Sequence, residues 1–145
     1  MRLVVDTSVL VGELLRAAGR ERLGDDRIEL FLPERMAGEV SVELPRRVAA
    51  FVKHRGLATE VGETLIAACL AAIASNVSVL DTAIYSALEG EARSRSLRDP
   101  DDWLVVACAM ALSAGIWTND NDFLGTGIAT WTTASLQAWL DRQPR

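Results

Sequence analysis

Short apolar runs and longer helical patterns alternate along this chain. The short runs are rich in Val, Ile and Leu, which is typical of buried strands. The longer patterns repeat apolar residues every three or four positions, which favours helices with a buried face. The predicted strands are residues 3–6, 28–32, 77–80, 116–118 and 128–132. The predicted helices are residues 9–15, 34–55, 60–75, 81–94, 99–114 and 133–140.

Turn and capping residues set the ends of these segments. Residues 19–27 are polar and contain Gly24, so we expect a loop there. Asp99-Pro100 marks a helix start, because Asp caps a helix and Pro fits its first turn. Pro45 should kink or split the longest helix, since Pro removes a backbone donor. Strands that alternate with helices predict an α/β fold whose parallel sheet is covered on both faces.

The size and composition indicate one folded domain that spans residues 1–145. Half of the residues are apolar, and 10 Gly and 4 Pro are too few for a low-complexity chain. The first apolar run, Leu3 to Leu15, is interrupted by Asp6 and Glu13 and is too short to cross a bilayer. We therefore expect a cytoplasmic protein without a membrane segment. With a net charge of −5, any nucleic acid would need a local basic surface.

Scarce residue types exclude several kinds of site. His54 is the one histidine and follows Lys53, the one lysine, near a predicted helix end, where a cation suits the helix dipole. Such a chain is poorly suited to histidine-based triads, histidine metal sites and lysine-dependent phosphate loops. Cys69 and Cys108 lie in alanine-rich apolar stretches, so we expect buried thiols rather than a disulfide or zinc site. The abundant chemical group that remains is the carboxylate.

Four acidic residues are expected where the carboxyl ends of the parallel strands meet. Asp6 ends the first predicted strand, and Asp120 follows the strand at residues 116–118. Glu39 lies in the second turn of the helix that leaves the second strand. Asp102 lies in the first turn of a later helix. Ligands of parallel α/β sheets bind at this edge, so the four acids are candidates for one site.

These acids also have ordinary structural explanations. Asp99, Asp101 and Asp102 would all favour a helix N-terminus, so charge alone does not select Asp102. Glu39 and Glu43 share one helix face, and either could be a solvated charge. Glu39 is preferred because it lies nearer the sheet edge.

A carboxylate cluster without histidine or cysteine predicts a hard divalent cation. Several carboxylates at one point repel one another unless they are protonated or bridged by cations. All-oxygen sites suit Mg²⁺ or Mn²⁺. Such ions bind phosphates and activate water. The predicted reaction is therefore metal-dependent hydrolysis of a phosphodiester bond.

The acids occur in motifs with a recognisable order. The motifs are Val-Val-Asp6-Thr-Ser, Glu39-Val, Asp99-Pro-Asp-Asp102-Trp-Leu-Val-Val-Ala-Cys-Ala and Trp-Thr118-Asn-Asp120-Asn-Asp122-Phe. Over nearly the whole chain this order resembles that of the PIN-domain nucleases, especially the VapC-type toxins. The resemblance implies a three-layer α/β/α fold with a short parallel sheet and Mg²⁺- or Mn²⁺-dependent cleavage of single-stranded RNA. It also implies the toxin of a type II toxin–antitoxin pair.

The resemblance carries roles onto individual residues. The acids that match catalytic positions are Asp6, Glu39, Asp102 and Asp120. The acids that match metal ligands are Asp6, Asp102, Asp120 and, as an accessory, Asp122. Asp102 is chosen over its acidic neighbours by its distance from the family's Ala-x-Ala pattern. Ser8 and Thr118 resemble positions whose hydroxyls orient carboxylates or waters.

Two groups of basic residues are candidates for holding RNA. One group consists of Arg46, Arg47, Lys53 and Arg55. The other consists of Arg93, Arg95 and Arg98. Either group could instead be a solvated face or a docking surface for an antitoxin peptide. Exposed apolar positions in residues 34–75 are candidates for an antitoxin groove or a homodimer contact, unless they belong to the core.

Two rival functions fit parts of the pattern. A receiver-like phosphoacceptor domain also clusters acids at a sheet edge, but it needs a lysine near the site, and Lys53 lies in the wrong helix. A PIN-like scaffold that has lost catalysis would bind partners without cutting RNA. All four acid positions are filled here, which favours the nuclease.

Overall fold

Five parallel strands form the central sheet of the computed structural model, which describes residues 1–144. The strands are β1 (Arg2–Val5), β2 (Glu29–Pro33), β3 (Val77–Leu80), β4 (Gly115–Trp117) and β5 (Thr130–Trp131). Their order across the sheet is β3-β2-β1-β4-β5, and every neighbouring pair is parallel. With helices on both faces, this sheet confirms the predicted three-layer α/β/α fold.

Helices occupy most of the chain between these strands. Within residues 1–144 they are α1 (Thr7–Leu14), α2 (Ala17–Leu23), α3 (Glu34–Arg55), α4 (Thr59–Asn76), α5 (Thr82–Tyr85), α6 (Glu89–Arg95), α7 (Trp103–Leu112) and α8 (Thr133–Leu140). Helix α7 contacts β1, β2 and β4, and α5 and α6 pack on α7. Helix α1 packs on α2 and α3, and α3 packs on α4. The sheet therefore lies between two sets of helices.

Strand β1 lies at the centre of the sheet and is buried on both faces. Leu3, Val4 and Val5 have no exposed surface, although successive side chains of a strand point to opposite faces. The parallel register pairs Val5 with Trp117, the last residue of β4. The carboxyl ends of β1 and β4 therefore lie side by side, which brings the polar residues that follow them together.

The expected loop at residues 19–27 is wrong, because α2 covers its first half. Tertiary contacts hold this short polar helix. Arg20 Nη1 donates to the Leu14 carbonyl at 2.6 Å. Arg22 forms an ion pair with Glu13, which is buried. Local composition predicted a loop here because the partners of these two arginines lie on α1, outside the segment.

The predicted helix at residues 81–94 is divided by a 3-10 turn at Ser86–Leu88. The division lets α5 and α6 each bury a side chain, Tyr85 and Ala92, both fully inaccessible. The Tyr85 ring lies 6.3 Å from that of Trp103 on α7. The chain therefore bends where α5 and α6 pack on α7. A local sequence pattern does not predict this bend, because α7 lies later in the chain.

Two other predicted segments are shorter in the structure, and one predicted break is absent from residues 1–144. The strand at residues 128–132 is reduced to β5, because its partner β4 has only three residues. The helix at residues 99–114 starts as a 3-10 turn and ends at Leu112. Helix α3 is not split by Pro45, whose side chain is exposed, and the predicted kink stays a prediction.

Predictions for the scarce residues are confirmed. Cys69 and Cys108 are buried and free, and burial raises the pKa of the Cys108 thiol to about 12. His54 lies with Lys53 in the last turn of α3, which Gly56 closes at a φ of 61°. No helix within residues 1–144 is long and apolar enough to cross a membrane.

Candidate metal and phosphodiester site

Asp6, Thr118 and Asp120 form a hydrogen-bonded group at the carboxyl ends of β1 and β4. The Asp6 backbone N–H donates to the Trp117 carbonyl at 3.0 Å, which extends the sheet pairing by one residue. The Thr118 hydroxyl donates to Asp6 Oδ2 at 3.2 Å and accepts from the Asp120 N–H at 2.9 Å. Thr118 is buried, so this hydroxyl is held in place. The two acids, 114 positions apart in the numbering, are therefore linked through one side chain.

Two residues at the start of α1 extend this group. The Ser8 hydroxyl donates to Asp6 Oδ2 at 2.9 Å. The Thr7 hydroxyl donates to Glu39 Oε2 at 3.4 Å, which places the exposed Glu39 of α3 beside the end of β1. Thr7 was not among the predicted site residues. Its position directly after Asp6 is the signal that would have suggested it.

Asp102 faces the other acids from the start of α7. Burial, and then the charges of Asp99, Asp120, Asp6 and Asp122, raise the pKa of its carboxyl from 3.8 to about 6. Charges from two separate loops act on this carboxyl, so it lies near Asp6 and Asp120. We call the edge of the sheet that carries these three acids the acidic rim. The raised pKa therefore reflects burial of the carboxyl first and repulsion from the neighbouring acids second, and a bound cation would offset both costs of the ionised form.

The structure separates the three acids of the 99–102 segment. The Asp99 side chain accepts from the Asp101 N–H at 2.9 Å and so caps the 3-10 turn at Pro100–Asp102. The Asp101 side chain is 95% exposed and lies 3.9 Å from Arg93. The Asp102 side chain makes no capping hydrogen bond. These contacts favour Asp102 as the candidate metal ligand of this segment.

Asp122 takes part in an ion pair instead of joining the hydrogen-bonded group through its side chain. Its carboxylate Oδ1 lies 3.3 Å from Nη1 of Arg98. Its backbone N–H donates to Asp120 Oδ1 at 2.9 Å, so Asp120 caps the turn that carries Asp122. The predicted role of Asp122 as an accessory metal ligand stays a prediction.

The alternative helical acid is engaged elsewhere. Glu43 lies 2.9 Å from Arg46 and 3.7 Å from Arg47 on the surface of α3. Glu39 makes no ion pair of this kind and contacts Thr7 at the rim. These contacts favour Glu39 as the acid that α3 contributes to the site.

The chemistry of the donor set fits a hard divalent cation. Carboxylate and hydroxyl oxygens surround the rim, and Mg²⁺ and Mn²⁺ prefer oxygen ligands. Within residues 1–144, however, no three His, Cys, Asp or Glu side chains already lie in the arrangement of a metal site. A cation here would therefore use water in addition to protein oxygens, as Mg²⁺ commonly does.

A separate polar cleft of about 530 Å³ lies between α2 and α8. Its lining includes Arg22, Arg27 and Gln137. Arg22 is paired with Glu13 and also donates to Gln137 at 2.7 Å, and Arg27 is paired with Asp25. These cations are neutralised within the protein, so the cleft shares neither residues nor chemistry with the acidic rim.

Comparisons with known proteins identify the family and support the fold. A family model described as PIN domain matches residues 4–141. Among solved structures, the chain is similar to VapBC2 from Rickettsia felis bound to a DNA fragment from their promoter, with a TM-score of 0.56 and 17% identity. That match covers 91% of this chain and 98% of the other chain, and at this identity it concerns the fold. No curated protein matches.

Proposed function

Because the chain belongs to the PIN-domain family, we propose that it is an endoribonuclease that uses Mg²⁺ or Mn²⁺ to hydrolyse phosphodiester bonds of single-stranded RNA. The observation that carries the proposal is the group Asp6–Thr118–Asp120, with Asp102 facing it. Thr118 joins the Asp6 carboxylate to the backbone of Asp120, and the charges of both acids act on Asp102. Their mutual repulsion without a cation supports a metal-binding role over a purely structural one.

The chain's own residues would hold and orient the reacting groups. Asp6, Asp102 and Asp120 would bind the cation directly or through water, with Glu39 beside them. The Thr118 hydroxyl bonds both the Asp6 carboxylate and the Asp120 backbone N–H, so it would hold these two groups at a fixed distance from each other. A bound divalent cation supplies a water of lowered pKa and offsets the charge that develops on the phosphate. In-line attack of water on phosphorus would release the 3′ oxygen and leave a 5′ phosphate, as the family resemblance implies.

Asp6→Asn is the first test of this proposal. The Asn carbonyl oxygen can still accept from Ser8 and Thr118, so the fold should be retained. Removal of one charged ligand should lower Mg²⁺-dependent cleavage of a single-stranded RNA by about 100-fold or more, since each 1.4 kcal/mol is a factor of ten in rate. Asp26→Asn, an exposed acid outside the site, is the matched control. Undiminished cleavage by folded Asp6→Asn protein would reject the assignment.

A set of three variants tests the choice of the α7 acid. Asp102→Asn should lose cleavage as Asp6→Asn does, whereas Asp101→Asn should not. Asp99→Ala removes the oxygen that accepts from the Asp101 N–H, so it should lower the free energy of unfolding through loss of the cap more than it lowers cleavage. If no RNA is cut by the wild-type chain at millimolar Mg²⁺ or Mn²⁺, the PIN-like scaffold without catalysis is the correct description.

We propose further that the chain is the toxin of a type II toxin–antitoxin pair, acts on cytoplasmic RNA and forms a homodimer. The fold likeness to a structure titled as a VapBC2 complex supports an antitoxin partner. Expression of the chain alone should arrest growth, and co-expression of the protein encoded beside it should restore growth. Light scattering at micromolar concentration tests the dimer. Normal growth with active protein present would contradict the toxin role.

A further inference from the structure

The arginines around the acidic rim differ in how many of their donors are already used. Arg95 donates from Nε and Nη2 to Glu91, at 3.1 and 2.5 Å, and from Nη1 to the Thr126 carbonyl at 3.3 Å. Its side chain therefore ties α6 to the loop after β4. A phosphate could bind Arg95 only if these contacts were broken.

Arg93 is held in a similar way. Its Nε donates to Glu89 at 2.7 Å and its Nη1 to the Pro100 carbonyl at 3.1 Å. Its guanidinium also lies 5.1 Å from the centre of the Trp103 ring. Arg93 thus fixes the turn that leads into α7, and its donors are not directed at the site.

Within residues 1–144, the Arg98 side chain makes one polar contact, and that contact is with Asp122, a candidate acid of the site. Its Nη1 lies 3.3 Å from Oδ1 of Asp122, and its side chain is 62% exposed. Asp122 follows Asp120 by two residues, and Arg98 precedes Asp102 by four. The pair therefore joins the two loops that carry the candidate metal ligands, and it leaves most of the guanidinium donors directed at solvent.

We infer that Arg98 is the phosphate-binding residue that positions RNA at this rim, and that Asp122 holds it there until a phosphate takes the carboxylate's place. The inference rests on the proposed function, because it names the residue that brings the substrate to the same acids. A guanidinium can bind a phosphate through two parallel hydrogen bonds, whereas Arg98 contacts Asp122 through Nη1 alone, so the exchange would add a hydrogen bond. An exposed ion pair contributes little net free energy, so the exchange is easy.

Transfer of the Arg98 guanidinium from Asp122 to a phosphate would also reduce the repulsion between RNA and the acids of the site. A polyanion must approach several carboxylates in a chain whose net charge is −5. Arg98 offers a cation at the rim itself. When its guanidinium moves to a phosphate, Asp122 is released beside Asp120, where it can contact a cation directly or through water.

RNA binding without catalysis is the direct test. A fluorescently labelled single-stranded oligoribonucleotide is titrated with the full chain in EDTA, which prevents cleavage, and binding is followed by anisotropy. Arg98→Ala should weaken binding by about 5- to 20-fold and reduce the slope of log Kd against log salt by about one. Arg98→Lys should recover part of the loss. Binding that is unchanged in Arg98→Ala would overturn the inference.

Arg2→Ala is the matched control. Arg2 is likewise an exposed arginine with one ion pair, 3.4 Å from Glu29, but it lies at the amino end of β1, away from the acids. The variant makes the same change in net charge and should alter RNA binding by less than about twofold. An equal loss in both variants would show that only total charge matters, and would overturn the inference.

A double-mutant cycle tests the role of Asp122. Asp122→Asn should tighten RNA binding several-fold in the wild-type background, because it removes the competing carboxylate. The same change should have a much smaller effect in the Arg98→Ala background. Equal tightening in both backgrounds would show simple charge repulsion and would overturn the exchange.

Cleavage kinetics separate this inference from the proposed function. In the presence of Mg²⁺, Arg98→Ala should raise KM with little change in kcat, whereas Asp6→Asn should lower kcat. If Asp6→Asn abolishes cleavage and Arg98→Ala leaves both KM and RNA binding unchanged, the inference fails and the nuclease stands. If Arg98→Ala weakens RNA binding and no variant or wild type cuts RNA, the nuclease fails and the binding role stands.

Discussion

Replacement of Asp102 by Asn should stabilise the metal-free protein at neutral pH. The pKa of this carboxyl rises from 3.8 to about 6 on folding, chiefly through burial and then through its acidic neighbours. Each unit of pKa corresponds to about 1.4 kcal/mol, so the shift sets an upper limit of about 3 kcal/mol. Solvent screening at a partly exposed carboxyl reduces this to about 1–2 kcal/mol. Loss of a favourable charge at a helix start opposes it by about 0.5 kcal/mol. The net gain is about 1 kcal/mol.

The sign of the pH dependence follows from the raised pKa. Well below pH 3.8 the carboxyl is protonated in both the folded and the unfolded state, and ionisation of Asp102 does not affect the free energy of unfolding. As the pH rises from about 4 to about 6, the unfolded chain loses the proton first, so folding becomes less favourable. Above about pH 6 the full cost is present. Asn does not ionise, so the gain in stability of Asp102→Asn should be small near pH 4 and complete by pH 7.5.

Urea denaturation followed by tryptophan fluorescence provides the assay, since Trp117 and Trp103 are buried. The measurements are made in EDTA at several pH values between 4 and 7.5, and again with 10 mM Mg²⁺. Mg²⁺ should stabilise the wild type by about 1.4 kcal/mol for a dissociation constant near 1 mM, and should stabilise Asp102→Asn less. Asp101→Asn, whose side chain is almost fully exposed, should leave the stability unchanged.

Two results would refute this reasoning. If Asp102→Asn is less stable than the wild type at pH 7.5 in EDTA, ionised Asp102 is not destabilised by its burial and its acidic neighbours. If the difference between the two proteins is the same at pH 4 and pH 7.5, ionisation of Asp102 is not its cause.

Three further predictions concern the packing that supports the site. Gly19→Ala should lower the free energy of unfolding by about 3 kcal/mol in urea denaturation, because the added Cβ would lie 2.1 Å from the Glu13 carbonyl oxygen. Gly12→Ala, whose Cβ would meet no atom within 4 Å, is its control, and equal effects would contradict the clash. Glu13→Gln should cost about 3 kcal/mol by the same assay, since it leaves the Arg22 charge without its partner; a loss below about 1 kcal/mol would contradict this. Ser113→Gly should raise the stability by about 1 kcal/mol, seen as a higher Tm, because Ser113 has a φ of 51°; an unchanged or lower Tm would contradict it.

The class of fold and the candidate acids could both be predicted from local patterns of residues. Alternation of apolar runs with helical patterns is sufficient to predict a parallel sheet between helices, because side-chain periodicity is a local property. The acids at the ends of two predicted strands, Asp6 and Asp120, could be found in the same way. The absence of histidine and cysteine from their surroundings indicated the type of cation. Boundaries such as those of α2 and β5 were predicted poorly, since tertiary partners decide them.

Which side chains come into contact depends on how the strands and helices pack together. The order of the strands places β1 beside β4, and this neighbour relation brings the Thr118 hydroxyl between Asp6 and Asp120. The packing also separates three acids that local spacing could not tell apart. Asp99 caps a turn, Asp101 is exposed to solvent, and Asp102 is affected by the charges of Asp6 and Asp120. The physical reason is that a carboxylate's role depends on charges and donors a few ångströms away, and these come from residues far apart in the chain.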